Sequence, residues 1–343
     1  MARQADSLPR YQLYIDGAWC DAESGSTQPV NEAALGRPMA HIARAGAADV
    51  ERAVAAARAA FDHGPWPHTP PQERARILHA LADALEERSS EFAEIESRNL
   101  GVPLRKSTFV DVPGAVDHLR TFAELARRDP YEPLPWTDVP ALSWNFVLRE
   151  PIGVCAQITP WNYPLLMAVW KLAPALATGN CVVVKPASYT PLTTLLLAEV
   201  IHDSGLLPRG VFNLVTGPGG DVGDTLVAHP GVDKVSFTGS TEVGARIMER
   251  AGATVKRVTL ELGGKSPSLV MPDADLELTT DGVLFAAFFN SGQSCEAATR
   301  CLVPASMHDA FVERLVKRAG ALRLGDPLDF ETDLGPIVSE QQA

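Results

Sequence analysis

The stretch "IGVCAQITPWNYPLLMAVWKLAPALATGNCVVVKPAS", Ile152 to Ser188, reads as strand, helix, strand. Its ends, "IGVCAQIT" (152–159) and "CVVVK" (181–185), are short apolar runs of strand length. Between them the apolar spacing is helical, with Pro164 in the first turn and Gly179 just past the end. Downstream the pattern repeats. A helix begins with Thr190 as N-cap and Pro191 at its first position, and stops at Gly205. The strands "VFNLVTG" and "KVSFTG" follow, another helix starts near Thr241, and "RVTL" precedes Glu261. This alternation predicts an α/β fold, a parallel sheet wound with helices on both faces. Such sheets bind ligands beyond the carboxyl ends of their strands. The places to look for chemistry are therefore Thr159–Asn162, Lys185–Ser188, Gly217–Gly220 and Gly239–Gly244.

Upstream, "YQLYIDGAWCDAESG" has the turn residues of a short hairpin. Helical spacing marks residues 46–61, 71–98 and about 108–127. Four prolines between 129 and 144 ("DPYEPLPWTDVPALSW") exclude a helix and predict an extended excursion.

The chain has 343 residues, enough for about two domains and a sizeable core. Its net charge of −12 argues against nucleic acid, whose phosphates need clustered Lys and Arg. The polar opening "MARQADSLPR" has no apolar signal core, and no apolar run approaches the ~20 residues of a membrane span. Five scattered cysteines without a CxxC pair fit a reducing cytoplasm and neither a disulfide framework nor a zinc site.

Four short motifs sit at strand or loop ends. In "FTGSTEVG" (237–244) a strand runs into Gly239, and Ser240 and Thr241 open a helix whose N–H groups favour an anion such as a pyrophosphate. The G-x-x-x-x-G spacing is not the dinucleotide fingerprint, and a plain turn with an N-cap reads equally well. In "ITPWNYP" (158–164) Asn162 lies on a loop between two prolines, where its amide can donate to a developing oxyanion or simply satisfy a turn. Lys185 ends the "VVVK" strand, to reach ribose or phosphate in a cleft or to snorkel into water. Glu261 in "LELGGKSP" (260–267) precedes two glycines, as a partly desolvated base toward water or a surface carboxylate in a turn. "FFNSGQSCEAATR" (288–300) adds Cys295, a nucleophile or one more buried thiol. Taken jointly, a thiol, an amide, a carboxylate and an anion-binding helix start form a covalent acyl-transfer set beside a dinucleotide site.

These motifs, in this order and spacing, resemble those of the aldehyde dehydrogenase superfamily, and the likeness runs from about Tyr11 to the last residue. Cys295 follows Asn162 by 133 residues and Glu261 by 34, as the family pattern expects. The resemblance implies a Rossmann-type parallel-sheet domain from residues 1–128 and 145–261. It also implies a bridging and oligomerisation strand segment at 129–144, and an incomplete α/β catalytic domain at 262–343. It implies oxidation of an aldehyde, a small-molecule substrate, to a carboxylic acid with NAD or NADP. Cys295 would attack the aldehyde carbon, the Asn162 amide and the Cys295 N–H would hold the oxyanion, and Glu261 would activate water to release the acid. For the cofactor, the resemblance points to Ile158, Thr159, Pro160, Trp161, Lys185, Ser188, Gly217, Gly220, Phe237, Gly239, Ser240, Gly244 and Leu262. Lys185 would contact the adenosine ribose; Ser240 and the Trp161 backbone would lie near the phosphates. Members selective for NAD often carry a Glu where Ser188 stands, so NADP is expected to be tolerated. No metal is implied, and the full-length form is expected to be a cytoplasmic homodimer or homotetramer.

Two departures from the family pattern stand out. Glu296 follows the nucleophile where many members have a small or neutral residue, and a neighbouring carboxylate tends to raise a thiol's pKa. The chain also stops at "DLGPIVSEQQA", before the family's segment that holds the nicotinamide ribose. The expectation is a truncated chain, and the alternative to an active enzyme is an inactive fragment that keeps a partial dinucleotide-binding fold.

Overall fold

The computed structural model describes residues 8–128 and 130–343; the polar opening over residues 1–7 and Asp129 lie outside the described residues. A seven-stranded sheet organises the larger part of the molecule. Its order is Arg257–Leu262, Lys234–Gly239, Val154–Ile158, Cys181–Lys185, Phe212–Leu214, Leu13–Ile15, Ala18–Cys20. The first five strands are parallel, and the last two are the expected hairpin, turned at Asp16 and Gly17 with φ of 51° and 74°. Numbered along the chain, the parallel strands lie in the order 5-4-1-2-3, the dinucleotide-fold arrangement whose direction of winding reverses beside the first strand. The register aligns Ile158 with Lys185 and with Phe237, so the strand ends share one edge of the sheet. The reversal places the loops after Ile158 and Gly239 on either side of one crevice.

Val154–Ile158 and Cys181–Lys185 are buried along their whole lengths, which explains their apolar composition. Each valine so buried contributes about 1.5–3 kcal/mol. Helices Pro164–Ala177 and Leu192–Ser204 cover one stretch of this sheet. Gly179 and Gly205, at φ of 82° and 59°, supply the left-handed residues that end them.

Several local expectations change. The helix expected over 71–98 is two helices, Pro71–Glu87 and Ser89–Leu100, separated at Arg88, whose guanidinium ties Glu91 and Glu199. The third helical stretch contains a π-helical turn, Ser107–Asp111, ahead of Val112–Ala126. Thr190 is not an N-cap: the helix starts at Leu192 behind Pro191, and the Thr190 hydroxyl donates to the Trp161 carbonyl oxygen (2.9 Å). Glu261 does not follow its strand but lies within it, paired with Thr238.

The proline-rich excursion is an antiparallel pair, Tyr131–Thr137 with Ser143–Leu148, so the extended segment runs beyond residue 144. Trp136, Trp144 and Phe146 on it are exposed. After the large sheet, Pro267–Leu269 pairs in parallel with Arg300–Leu302, flanked by helices Leu276–Phe288 and His308–Ala319. A small separate core holds this region together around Val270, Val283 and Phe311. Leu269 and Leu302 on the small sheet face outward.

Candidate active site

The loop after Ile158 cannot continue its strand, because Pro160 and Pro164 bracket it. It is pinned from below by Thr159, whose N–H donates to the Lys185 carbonyl, and by the Thr190 hydroxyl. The Asn162 side-chain amide donates to the Gln293 carbonyl oxygen (2.7 Å), and Asn290 donates back to the Asn162 carbonyl (2.9 Å). Next to it, the Tyr163 hydroxyl bonds the Ser294 hydroxyl. Two segments 131 residues apart are thus stitched together immediately before Cys295.

The loop that carries Cys295 is sharply shaped. Asn290, Ser291 and Gly292 have φ of 59°, 55° and 75°, three consecutive left-handed residues. Asn290 is held there by its own bonds to Asn162 and Gln293. The chain then turns at Cys295 and Glu296, and Ala297 N–H donates to the Ser294 carbonyl (3.3 Å). Cys295 is exposed, unlike Cys155 and Cys181, which are core thiols pushed up to about 12 by burial. The Cys295 thiol donates to the Glu296 carboxylate at 3.0 Å. Desolvation first, and this carboxylate second, push the thiol up to about 11. A β-carbon on Gly264 would lie 3.4 Å from the Cys295 carbonyl oxygen, an ordinary contact, so the two loops are neighbours here without requiring glycine.

Of the two alternatives for Glu261, a partly desolvated base or a surface carboxylate, its exposure matches the second. It faces a groove shared with Gln157, Lys171, Ser236 and Thr259, and Cys295 does not line that groove. Lys171 is buried, donates to Thr238 (2.7 Å) and Ser236 (3.3 Å), and is lowered to about 8 by burial against an opposing pull from Glu261. Sequence reasoning passed over Lys171; a charged residue inside "MAVWKLAPALA" was the available signal.

The dinucleotide candidates divide by their surroundings. Lys185 does not snorkel: it is buried, donates to the Pro186 carbonyl (2.9 Å), and burial lowers it to about 8. Thr159 presents a buried hydroxyl with no hydrogen-bond partner among the described residues. Ser188 donates to the Gly217 carbonyl (2.9 Å). Gly217 has φ of 150°, and a β-carbon there would meet Val222 at 2.8 Å, so this turn tolerates only glycine. Gly220 stands in open space on the following π-helical turn. Ser240 spends its hydroxyl as the N-cap of Thr241–Gly252, accepting from Val243 N–H. A β-carbon on Gly239 would strike the Phe237 ring, and one on Gly244 would strike Leu262, which makes these four residues one packed unit. Ile158 and Pro160 are buried and Trp161 is half-buried beside them. The orphaned Thr159 hydroxyl, the glycine cradle and the Thr241 helix start fit a dinucleotide lying across the switch point. Among the described residues no cluster of His, Cys, Asp and Glu is arranged to hold a metal, and no helix is long and apolar enough to cross a membrane.

A doubly wound α/β sheet whose first strand-end loop is bonded to a cysteine-bearing loop defines the class of protein. The chain belongs to the aldehyde dehydrogenase family, whose model matches residues 19–343. It is 43% identical over 331 residues to the putative aldehyde dehydrogenase DhaS of Bacillus subtilis, covering 96% of this chain and 66% of that protein. It is also 43% identical over 333 residues to the betaine aldehyde dehydrogenase of Bacillus subtilis, with the same coverage. Among solved structures, a putative aldehyde dehydrogenase from Burkholderia cenocepacia superposes with a TM-score of 0.92 at 44% identity, over 96% of this chain and 66% of the other. The NAD+ complex of an aldehyde dehydrogenase from Bacillus cereus gives 0.93 at 38% identity, over 97% and 67%. The chain therefore spans about 66% of the length of the curated relatives it matches.

Proposed function

We propose that this chain carries the dinucleotide site and the nucleophile of an enzyme that oxidises an aldehyde to a carboxylic acid with NAD or NADP. The observation that carries the reading is the Asn162–Gln293 bond, which sets an amide donor beside the Cys295 loop. An amide nitrogen has two hydrogens, and the Gln293 carbonyl takes one, leaving the second for an oxyanion. Cys295 adds to the aldehyde carbon, and the Asn162 amide receives the charge that develops on oxygen, worth about 3–4 kcal/mol. The dinucleotide, when bound, supplies the hydride acceptor that lets this adduct become a thioester. Lys185, Ser188, Ser240 and the Gly217 turn bind and orient it. Glu261 takes the proton from the water that releases the acid, with Lys171 as its charged neighbour, after its side chain swings from the groove toward the thioester.

The domain reading follows the same lines: residues 1–128 and 145–261 bind the dinucleotide, 262–343 carry the nucleophile, and the exposed 131–148 pair bridges subunits of a cytoplasmic homo-oligomer. The outward-facing Trp136, Trp144 and Phe146 support that interface. A second reading, an inactive chain with a partial dinucleotide-binding fold, is favoured by the exposed Leu269 and Leu302. Reduced-nicotinamide absorbance with a panel of aldehydes separates the two. Turnover that Cys295→Ser abolishes supports the enzyme; a thermally stable chain without turnover supports the second reading.

A further inference from the structure

Cys295 and Glu296 occupy the two corners of the turn closed by Ala297 N–H on the Ser294 carbonyl. Within this turn the thiol donates to the carboxylate at 3.0 Å. The direction of this bond is decided by ordinary acidities. A carboxyl ionises roughly four pH units below a thiol, so the proton stays on sulfur and the carboxylate accepts it. Ionising the thiol would place two negative charges in contact.

Among the described residues the groups that favour the thiolate, the backbone N–H groups of Glu296 and Cys295, count for less than the carboxylate. From the loop after Ile158, the titratable group that faces the pair is the Tyr163 hydroxyl, already bonded to Ser294 and neutral. Behind the Tyr163 ring, the Lys106 ammonium sits 4.1 Å from the ring centre and is fully engaged by both Asp111 oxygens (2.7 Å). The glycine loop packed on the Cys295 carbonyl carries Lys265, whose ammonium donates to the Gly264 carbonyl (3.2 Å).

We propose that Glu296 is a guard on the nucleophile: it holds the exposed Cys295 as a hydrogen-bonded thiol and keeps its reactivity low until the carboxylate is displaced or neutralised. This role deepens the reading of Cys295 as nucleophile and rests on it.

The test is the pH profile of Cys295 alkylation by iodoacetamide on the whole chain, read by mass spectrometry of the Cys295 peptide. The thiolate forms an S–C bond, iodide leaves, and the thiol proton passes to solvent, so the rate follows the thiolate fraction. Glu296→Gln keeps the shape and removes the charge; Glu296→Ala removes both. Both variants are expected to shift the midpoint of the profile to lower pH and to raise the rate at neutral pH roughly 3- to 10-fold, after allowing for the lower nucleophilicity of a more acidic thiol. Unchanged midpoints in both variants overturn the guard. Slower alkylation in both also overturns it and makes Glu296 a proton acceptor that assists ionisation. Alkylation reads the thiol whether or not aldehyde is turned over. Failure of the enzymatic reading, seen as turnover that survives Cys295→Ser, is therefore distinct from failure of the guard.

Discussion

Lys106 places its ammonium 4.1 Å from the centre of the Tyr163 ring, and the same ammonium grips both oxygens of Asp111. The pair is almost completely removed from solvent, and it braces the tyrosine whose hydroxyl holds Ser294 beside Cys295. Removing one partner of a buried ion pair strands the other charge. Asp111→Ala should therefore destabilise the chain by about 3–5 kcal/mol. The double change Lys106→Met with Asp111→Leu should recover much of that loss. Calorimetric melting of the three chains checks both statements; a single variant as stable as the parent would refute them.

Cys295→Ser should abolish aldehyde-dependent cofactor reduction, since the hydroxyl is a far weaker nucleophile at neutral pH. Asn162→Ala should lower kcat by roughly 10²–10³, the cost of one oxyanion donor. Glu261→Gln should leave a burst of reduced cofactor and then stall. A normal steady rate after that burst would remove Glu261 from the hydrolytic step.

On the proposed reading, Ser188 would offer the cofactor's ribose a hydroxyl committed to Gly217 and no carboxylate. A 2′-phosphate therefore meets no opposing charge at this position, and NADP should bind within a few hundred-fold of NAD. Ser188→Glu should weaken NADP selectively. Fluorescence titration with the two reduced cofactors measures each dissociation constant; equal losses for both would contradict the charge argument.

Glu96 is fully buried, accepts hydrogen bonds from Thr193 (2.5 Å) and from Leu165 N–H (3.4 Å), and shares its surroundings with Asp111. Desolvation first, and the Asp111 charge second, raise it from 4.5 to about 8. Over the intervening range the folded chain holds a proton that the unfolded chain has lost, so stability falls as pH rises through that window. Its contribution is complete below the unfolded value and gone above about 8. Glu96→Gln should flatten this decline, which denaturant unfolding at a series of pH values would show.

Much of this protein is legible in its sequence where local physics decides. The apolar runs ending at Ile158 and Lys185 are strands because strands buried on both faces must be apolar throughout. The prolines around Asn162 force a loop, and Gly179 and Gly205 end helices because they alone accept left-handed backbone cheaply. The family likeness then located Asn162, Glu261 and Cys295 by order and spacing. Sequence reasoning failed where a distant partner outweighed a local preference. Thr190, a good N-cap by type, is drawn off to the Trp161 carbonyl. Of the two places open to Lys185, a cleft or water, burial excludes the second, and its ammonium bonds its own loop. Lys106 and Asp111, five residues apart, meet because a π-helical turn alters the helical spacing.

By itself the sequence determined most of the elements and their parallel winding, because these follow from residue type and short-range spacing, and the family likeness named the candidate reactive groups. Only the tertiary structure decided how those groups stand to one another. The 5-4-1-2-3 strand order opens the crevice, the Asn162–Gln293 bond closes 131 residues of chain onto the Cys295 loop, and a turn brings Glu296 against the Cys295 thiol. The first two are long-range packing choices that no local pattern encodes; the third joins neighbours in sequence, and only the side-chain conformations in the turn decide that they meet.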